Sequence, residues 1–511
     1  MFYVVQIFHT ENLMKLSKVF FGIFGAAIFA VNCFAQTDKT VPRFEQSDCA
    51  VPLPPGEKAE CGYLVVKEKR SAKNNKTIRL PVITLKAENP DSKKEPVLRT
   101  LGGPGASSLR MVRSRSDAPW LKNRDLIIFE QRGTKYAQPA LECPEVSEAN
   151  ISSAKKQSGA KAARTAEIKA AKACFERLRA QGIDLSAYNS AESAADVEDL
   201  RRVLKLSKIN LWGISYSARL MLNVMRDYPQ GIRSVVLEST MPLEINYDEV
   251  GVDGIVYALD RLFKNCKSDA DCAAAYPNLE NEFYETVAKL NFELVSAGVK
   301  DEKTGETFEI KLNGDDFATW IVDYLLSDSA EAIKDAPLVI HATFTGKYEP
   351  FKRYANEKVS PSNYTLGMRY SVWCVEEFPF ENRRKIAAQS TIYPRLKGYE
   401  VMALPEICGV WNVSAAKPIE NKAVKSDIPT FVIGAEYDAY TPPDWGKSTA
   451  TKNLKNSFFV EIPWAGHGPA FSTPCLRGLI AAFYDDPTKA PDSSDCVEKV
   501  RRQFKFTAKK I

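Results

Sequence analysis

The chain has 511 residues, 45% of them hydrophobic and 26% charged. That is ordinary globular material, longer than one hydrophobic core usually serves, so a main domain with an insertion is expected. The net charge of +5 is small for this length and no basic stripe interleaved with aromatics appears, so nucleic acid is not an implied partner.

At the N-terminus, Lys15 and Lys18 precede the uncharged apolar run Val19 to Val31, and Cys33-Phe34-Ala35 offers a small-residue cleavage site before Gln36. This predicts a secretory signal peptide over residues 1–35 and a periplasmic or secreted protein. Met14 is an alternative start. A lipoprotein anchored through Cys33 is the alternative fate, disfavoured by the bulky Asn32. No later apolar stretch reaches the roughly 18 residues of a membrane span, so stable membrane insertion is not expected.

Removing the leader leaves ten cysteines, an even count that in an exported protein points to disulfides. The simplest pairing is sequential: Cys49–Cys61, Cys143–Cys174, Cys266–Cys272, Cys374–Cys408 and Cys475–Cys496. Buried free thiols are the alternative. With no C-x-x-C and two histidines in the mature chain, neither a zinc site nor any other metal or cofactor is implied.

Residues 61–69 and 77–87 alternate in the β manner around the polar turn Ser71 to Lys76 and predict an opening hairpin. Six short apolar runs follow, at Val97 to Leu101, Asp125 to Phe129, Ile209 to Trp212, Ile232 to Leu237, Thr430 to Ile433 and Phe458 to Ile462. Continuous runs of this length suit strands buried on both faces. Between them, the segment from Asp196 to Leu206 places Val197, Leu200, Val203 and Leu204 on one helical face, and the Ala/Lys-rich stretch from Ser152 to Leu178 reads as a solvated helix. Strands alternating with helices predict an α/β fold with a mostly parallel sheet flanked by helices.

From Leu237 to Thr430 the pattern becomes helical and aromatic-rich, as in Val256 to Phe263, Asn281 to Leu294 and Phe317 to Leu326. The expected organisation is therefore a core over 36–240 and 426–511, with a large, mainly helical cap over 241–425 inserted before the last two strands. Such a cap would cover the strand ends where α/β sheets carry their sites.

Gly213-Ile214-Ser215-Tyr216-Ser217 lies between an apolar run and a helical stretch, the strand-turn-helix geometry that lifts a serine hydroxyl clear of a sheet. A nucleophilic serine needs a base and a group to orient that base. His9 leaves with the leader and His341 lies mid-cap, so His467, just after the last apolar run, is the base expected in a strand-end loop. Asp438, following the preceding strand, is the expected acid, with Glu436 the alternative. Gly102-Gly103-Pro104-Gly105 follows its own strand, where backbone N–H groups near Gly103, together with that of Tyr216, can hold an oxyanion.

With Glu130-Gln131-Arg132-Gly133-Thr134 added, these segments resemble the prolyl aminopeptidase and tripeptidyl aminopeptidase branch of the α/β hydrolases, over about residues 45–500. The chain departs from that branch at Leu101, where many members have histidine, at Glu130, a frequent aspartate, and at Ser217, the elbow's last glycine. The resemblance implies an α/β-hydrolase fold in which G-G-P-G and Q-R-G line the site, the serine is the nucleophile, and a helical cap selects substrates with a free N-terminus. Members hold the α-ammonium with cap carboxylates, and Glu376 and Glu377, amid apolar residues, are the local candidates. The reading is an exported serine aminopeptidase acting on peptides with a free N-terminus through an acyl-enzyme. An esterase or lipase with the same triad, and a non-catalytic scaffold for protein binding, are the rivals.

Overall fold

The computed structural model describes residues 40–89, 94–113, 118–301, 303–327, 330–360, 362–397 and 405–508. The leader expected over 1–35, with Cys33, lies outside them. Eleven strands appear among the described residues: β1 Arg43–Gln46, β2 Ala59–Lys67, β3 Thr77–Leu85, β4 Val97–Thr100, β5 Leu126–Phe129, β6 Ile209–Ser215, β7 Ile232–Thr240, β8 Val295–Lys300, β9 Thr307–Leu312, β10 Thr430–Ala435 and β11 Ser457–Ile462.

Nine of them form one sheet in the order β1-β2-β3-β5-β4-β6-β7-β10-β11. The β1, β2, β3 end is antiparallel up to the β3–β5 pair, and every pairing from β5 to β11 is parallel. Strand β4 is flanked by β5 on one side and β6 on the other, so the chain direction across the sheet reverses there. A crevice opens at such a switch point, beyond the carboxyl ends of the strands. The loops after β4 and β6, carrying Gly102–Gly103 and Ser215, both leave from it.

The sheet's apolar runs are continuous because both faces are covered. Leu98, Leu211, Val235 and Val432 face one core with the helices Ser190–Val203 and Tyr216–Asp227. Their neighbours Val97, Trp212, Val236 and Ile433 face the other, against the helix Pro474–Asp485. Each strand thus alternates sides while staying buried. Strand β1 escapes a sequence pattern because it is four residues long, polar and at the sheet edge.

Between β7 and β10 lie the helices Tyr247–Ser268, Leu279–Leu290, Gly314–Leu326, Ala330–Phe344, Glu349–Val359 and Leu366–Glu376, with shorter ones. Ile255, Leu259, Phe283, Phe317, Ile321 and Phe351 form their own buried core. This stretch also holds the separate hairpin β8–β9, which the helical reading omitted. Its signal was the period of two: Val295, Ala297 and Val299 are buried while Gly298 and Lys300 are exposed. The Ala/Lys-rich stretch is two helices, Pro144–Lys155 and Ala160–Ala180, the second starting after Gly159 and burying Ala171, Cys174 and Leu178 on one face.

Five disulfides join the ten cysteines in sequential pairs, Cys49–Cys61, Cys143–Cys174, Cys266–Cys272, Cys374–Cys408 and Cys475–Cys496. The Cys374–Cys408 bond ties helix Leu366–Glu376 to helix Pro405–Val410. Closing loops of 6 to 34 residues stabilises chiefly by restricting the unfolded chain.

Candidate active site

Ser215 ends β6 and caps the helix Tyr216–Asp227 with φ 60° and ψ −129°. A non-glycine residue there is strained, and strain of this kind persists only where surrounding structure imposes it. Packing supplies the imposition. A Cβ on Gly213 would stand 2.4 Å from the Ser217 carbonyl oxygen, so glycine is required for the strand and helix to meet this closely. Ser217, standing where a glycine was the usual residue, is fully buried and its hydroxyl hydrogen-bonds Thr100 on β4. The departure is accommodated by a polar contact.

Gly102 packs against this turn. A Cβ there would lie 2.8 Å from the Ser215 Cβ and 3.0 Å from the Tyr216 nitrogen, covering the N–H at the helix start. Gly103 has φ +118°, a conformation L side chains rarely adopt. The first N–H groups of a helix have no intrahelical partner and suit negative charge. Gly102 thus stands beside Ser215 and the Tyr216 nitrogen, and Gly103 lines the same cavity as Ser215.

The Glu130-Gln131-Arg132 segment stands behind this loop and does not line the cavity, which corrects the expectation carried by the resemblance. Gln131 donates to the Leu101 carbonyl at 2.6 Å. The Glu130 carboxylate accepts from the Ser107 hydroxyl and the Leu109 N–H. Arg132 makes a two-pronged contact with Asp196, both bonds 2.7 Å, and is wholly buried. These side chains fix the loop from behind.

Across the cavity, the Asp438 carboxylate accepts from His467 Nδ1 at 2.9 and 3.0 Å. It also accepts from the Thr441 hydroxyl at 2.7 Å and from the N–H groups of Thr441 and Tyr440. Burial alone would raise the Asp438 pKa, but the imidazole and the Thr441 bonds hold it below the usual carboxylate range. Close packing would likewise lower His467; the charge and hydrogen bond of Asp438, with Glu238 beyond, outweigh it and hold the imidazole above its ordinary 6.5. Glu436, the alternative acid, is occupied elsewhere, accepting from Asn265 and the Trp464 N–H. His341 bonds Glu282 away from the site.

The insertion helps place His467. The C-terminus of helix Gly314–Leu326 offers the Leu326 carbonyl to the His467 N–H at 3.1 Å, and a Cβ on Gly466 would stand 2.4 Å from the Leu325 carbonyl oxygen. Ser215 and His467 then line one cavity of about 530 Å³ together with Gly102, Gly103 and Thr441. That volume is typical of a small-ligand site.

Glu376 and Glu377 are buried at the end of helix Leu366–Glu376 and are not among the residues lining this cavity. Glu376 accepts from the N–H and hydroxyl of Ser190, Glu377 accepts from the Tyr247 N–H at 2.9 Å, and both flank the buried Arg219. The cavity does contain three side chains the sequence had not marked. Arg369 stacks on Tyr364 and Trp373 and donates to the Gly103 carbonyl at 2.8 Å, tying the insertion to the glycine loop. Arg110 also lines the cavity, as does Asp323, which is open to solvent there yet crowded enough that burial, aided by the Glu357 charge, pushes its pKa up to about 7. A single Arg or Asp within a helix carries no spacing signal.

Behind Tyr247, Asp248 and Glu381 face each other with carboxylate oxygens lacking other hydrogen-bond partners. Burial first, then the neighbouring carboxylates, raises Asp248, and burial raises Glu381. Burial also pushes Glu377 up to about 7. A carboxyl raised on folding contributes stability that is complete below its unfolded pKa and is lost as pH rises through the folded one. Asp248→Asn, which supplies a permanent donor, is therefore expected to raise Tm at pH 9 by about 2 °C or more and to change it less at pH 5, as read by thermal denaturation.

Residues 102–274 match the family model described as the alpha/beta hydrolase fold, and residues 395–496 the one described as TAP-like protein. This chain has the α/β-hydrolase fold. A tripeptidyl aminopeptidase of Streptomyces coelicolor is 29% identical to it over 206 residues, and one of Streptomyces lividans 28% over 205. Each match covers 38% of the hydrolase and 37% of its relative, so the chain spans little over a third of the length of the curated relatives it matches. A solved serine hydrolase from Cycloclasticus zankles is 10% identical, with a TM-score of 0.36, covering 83% of this chain and 98% of that one.

Proposed function

We propose that the hydrolase is an exported serine aminopeptidase that cleaves peptides near a free N-terminus through an acyl-enzyme. The observation that carries this is the convergence of the strained Ser215, the Asp438–His467 pair and the Gly102–Gly103 loop on one cavity. In the reaction, Ser215 Oγ attacks the scissile carbonyl while His467 Nε2 takes its proton. The Gly103 and Tyr216 N–H groups hold the oxyanion, and His467 returns the proton to the leaving amine. Water then attacks the acyl-enzyme by the same route in reverse. Asp438, held by Thr441, keeps Nδ1 protonated and Nε2 basic. The named relatives support the peptidase reading, and five disulfides suit an oxidising compartment.

A substrate ammonium needs a carboxylate that reaches the cavity. Glu376 and Glu377 are engaged by Arg219, Ser190 and Tyr247, whereas Asp323 lines the cavity wall, so Asp323 is the anchor favoured here. Because its pKa is pushed up to about 7, ammonium binding should strengthen as pH rises through that value and Asp323 ionises. The test pairs fluorogenic amides of one to three residues, with free or blocked N-termini, with p-nitrophenyl esters. Cleavage of free-N-terminal amides is expected, with Asp323→Asn raising their KM about tenfold or more and sparing blocked ones. Ester cleavage without amide cleavage overturns the peptidase reading, and equal rates on free and blocked amides overturn the anchor.

A further inference from the structure

A second cavity, of about 580 Å³, lies between helix Pro144–Lys155 of the core and the β9 and Glu349–Val359 elements of the insertion. Tyr364 lines both this cavity and the one holding Ser215 and His467, so the two share a wall residue. The segment bearing it is fastened to the glycine loop. Tyr364 pairs with Ala106 in a β-bridge, and the Thr365 N–H donates to the Gly105 carbonyl at 2.9 Å. Tyr364 itself is 38% exposed.

Ile151, Phe308, Val359 and Leu366, all half-buried, join Tyr364 in lining the second cavity. Charged neighbours are largely spent on one another. Lys303 pairs with Glu148, and Lys155, lying over the Phe308 ring, pairs with Asp301 and Glu306. Converging apolar side chains with self-paired charges at the rim leave a surface that gains most from an apolar occupant.

Continuity through Tyr364 points to the substrate itself as that occupant. Asp323 comes from the helix that meets the His467 loop, whereas Tyr364 abuts Gly103, so the two belong to different segments of the wall of the cavity that holds Ser215. A peptide anchored at Asp323 and lying across Ser215 would run on toward Tyr364. We propose that the second cavity is a distal subsite for an apolar side chain of the peptide substrate, on the C-terminal side of the scissile bond. This rests on the peptidase reading and extends it: the hydrolase selects its substrates by a residue beyond the bond it cuts.

Peptide binding can be measured without turnover in Ser215→Ala protein, by fluorescence anisotropy of C-terminally labelled heptapeptides with free N-termini. One series carries Leu or Phe beyond the third residue and the other Ser or Asp. Apolar peptides are expected to bind about tenfold or more tightly than polar ones. Phe308→Ser and Ile151→Ser should each shrink that ratio, and Ile151→Glu should shift preference toward peptides bearing Lys there. With Ser215 intact, hydrolysis of a single-residue amide should be unchanged in these variants. A ratio near one in Ser215→Ala protein, or a ratio that survives both serine substitutions, overturns the subsite. Retained apolar preference in binding with no amide hydrolysis by the intact protein would instead overturn the peptidase reading alone.

Discussion

Ser215→Ala is expected to lower kcat by about 10⁵- to 10⁶-fold on any amide the hydrolase cleaves, with KM little changed. Among the described residues lining the cavity Ser215 is the only serine, and the Thr441 hydroxyl is engaged with Asp438. Because nucleophile and base act as one unit, Ser215→Ala/His467→Ala should be no slower than either single variant. The residual rate would come from the Gly103 and Tyr216 N–H groups and from binding. Steady-state and single-turnover assays on the three proteins read this directly. A Ser215→Ala protein keeping more than about a hundredth of the rate would remove Ser215 from the role of nucleophile. The strained backbone adds an independent readout. At φ 60°, glycine relieves a conformational cost that serine bears, so Ser215→Gly should be as inactive as Ser215→Ala but more stable.

Much of the core was legible because burial on both faces leaves continuous apolar runs. Val97 to Leu101, Ile209 to Trp212 and Thr430 to Ile433 each coincide with a central parallel strand. The elbow was legible because Gly213, Ser215 and a following helix serve a local geometry. The pairing of Asp438 with His467 was foreshadowed by position alone, each lying just past a strand end. What escaped depended on tertiary approach. Strand β1 has no core face to pattern it, and hairpin β8–β9 was masked by the helices around it.

The insertion shows the same limit at the level of chemistry. An acidic pair amid apolar residues reads equally well as a ligand for a substrate cation or for a protein one. Only the fold shows Arg219, distant in sequence, between Glu376 and Glu377. Conversely Asp323 looks like any solvent-facing helical carboxylate until the end of its helix meets the His467 loop. The Glu130-Gln131-Arg132 segment was expected to line the site with the glycine loop, but its side chains grip Leu101, Ser107 and Asp196 behind it. Support and lining are indistinguishable by spacing.

Asp438→Asn separates the orienting carboxylate from the rest of the site. The base must be neutral to accept the Ser215 proton, so kcat/KM should rise with pH as His467 loses its proton. With Asp438 beside it, His467 titrates above 6.5, and the acid limb of the intact hydrolase belongs above that value. Asp438, held below the usual carboxylate range, stays ionised throughout. Asparagine removes the charge that raises the imidazole, so the limb should move down in pH even as the plateau falls by about 10³- to 10⁴-fold. The fall arises because an amide no longer fixes Nδ1 as the protonated nitrogen, leaving the wrong tautomer toward Ser215. Glu436→Gln is the matched control. Its carboxylate bonds Asn265 and the Trp464 N–H, so its loss should leave the limb in place. A limb that moves with Glu436 and stays with Asp438 would reverse the assignment. A rate loss without any shift would mean that Asp438 acts on the loop's shape alone, because only a charge facing the imidazole can move its titration.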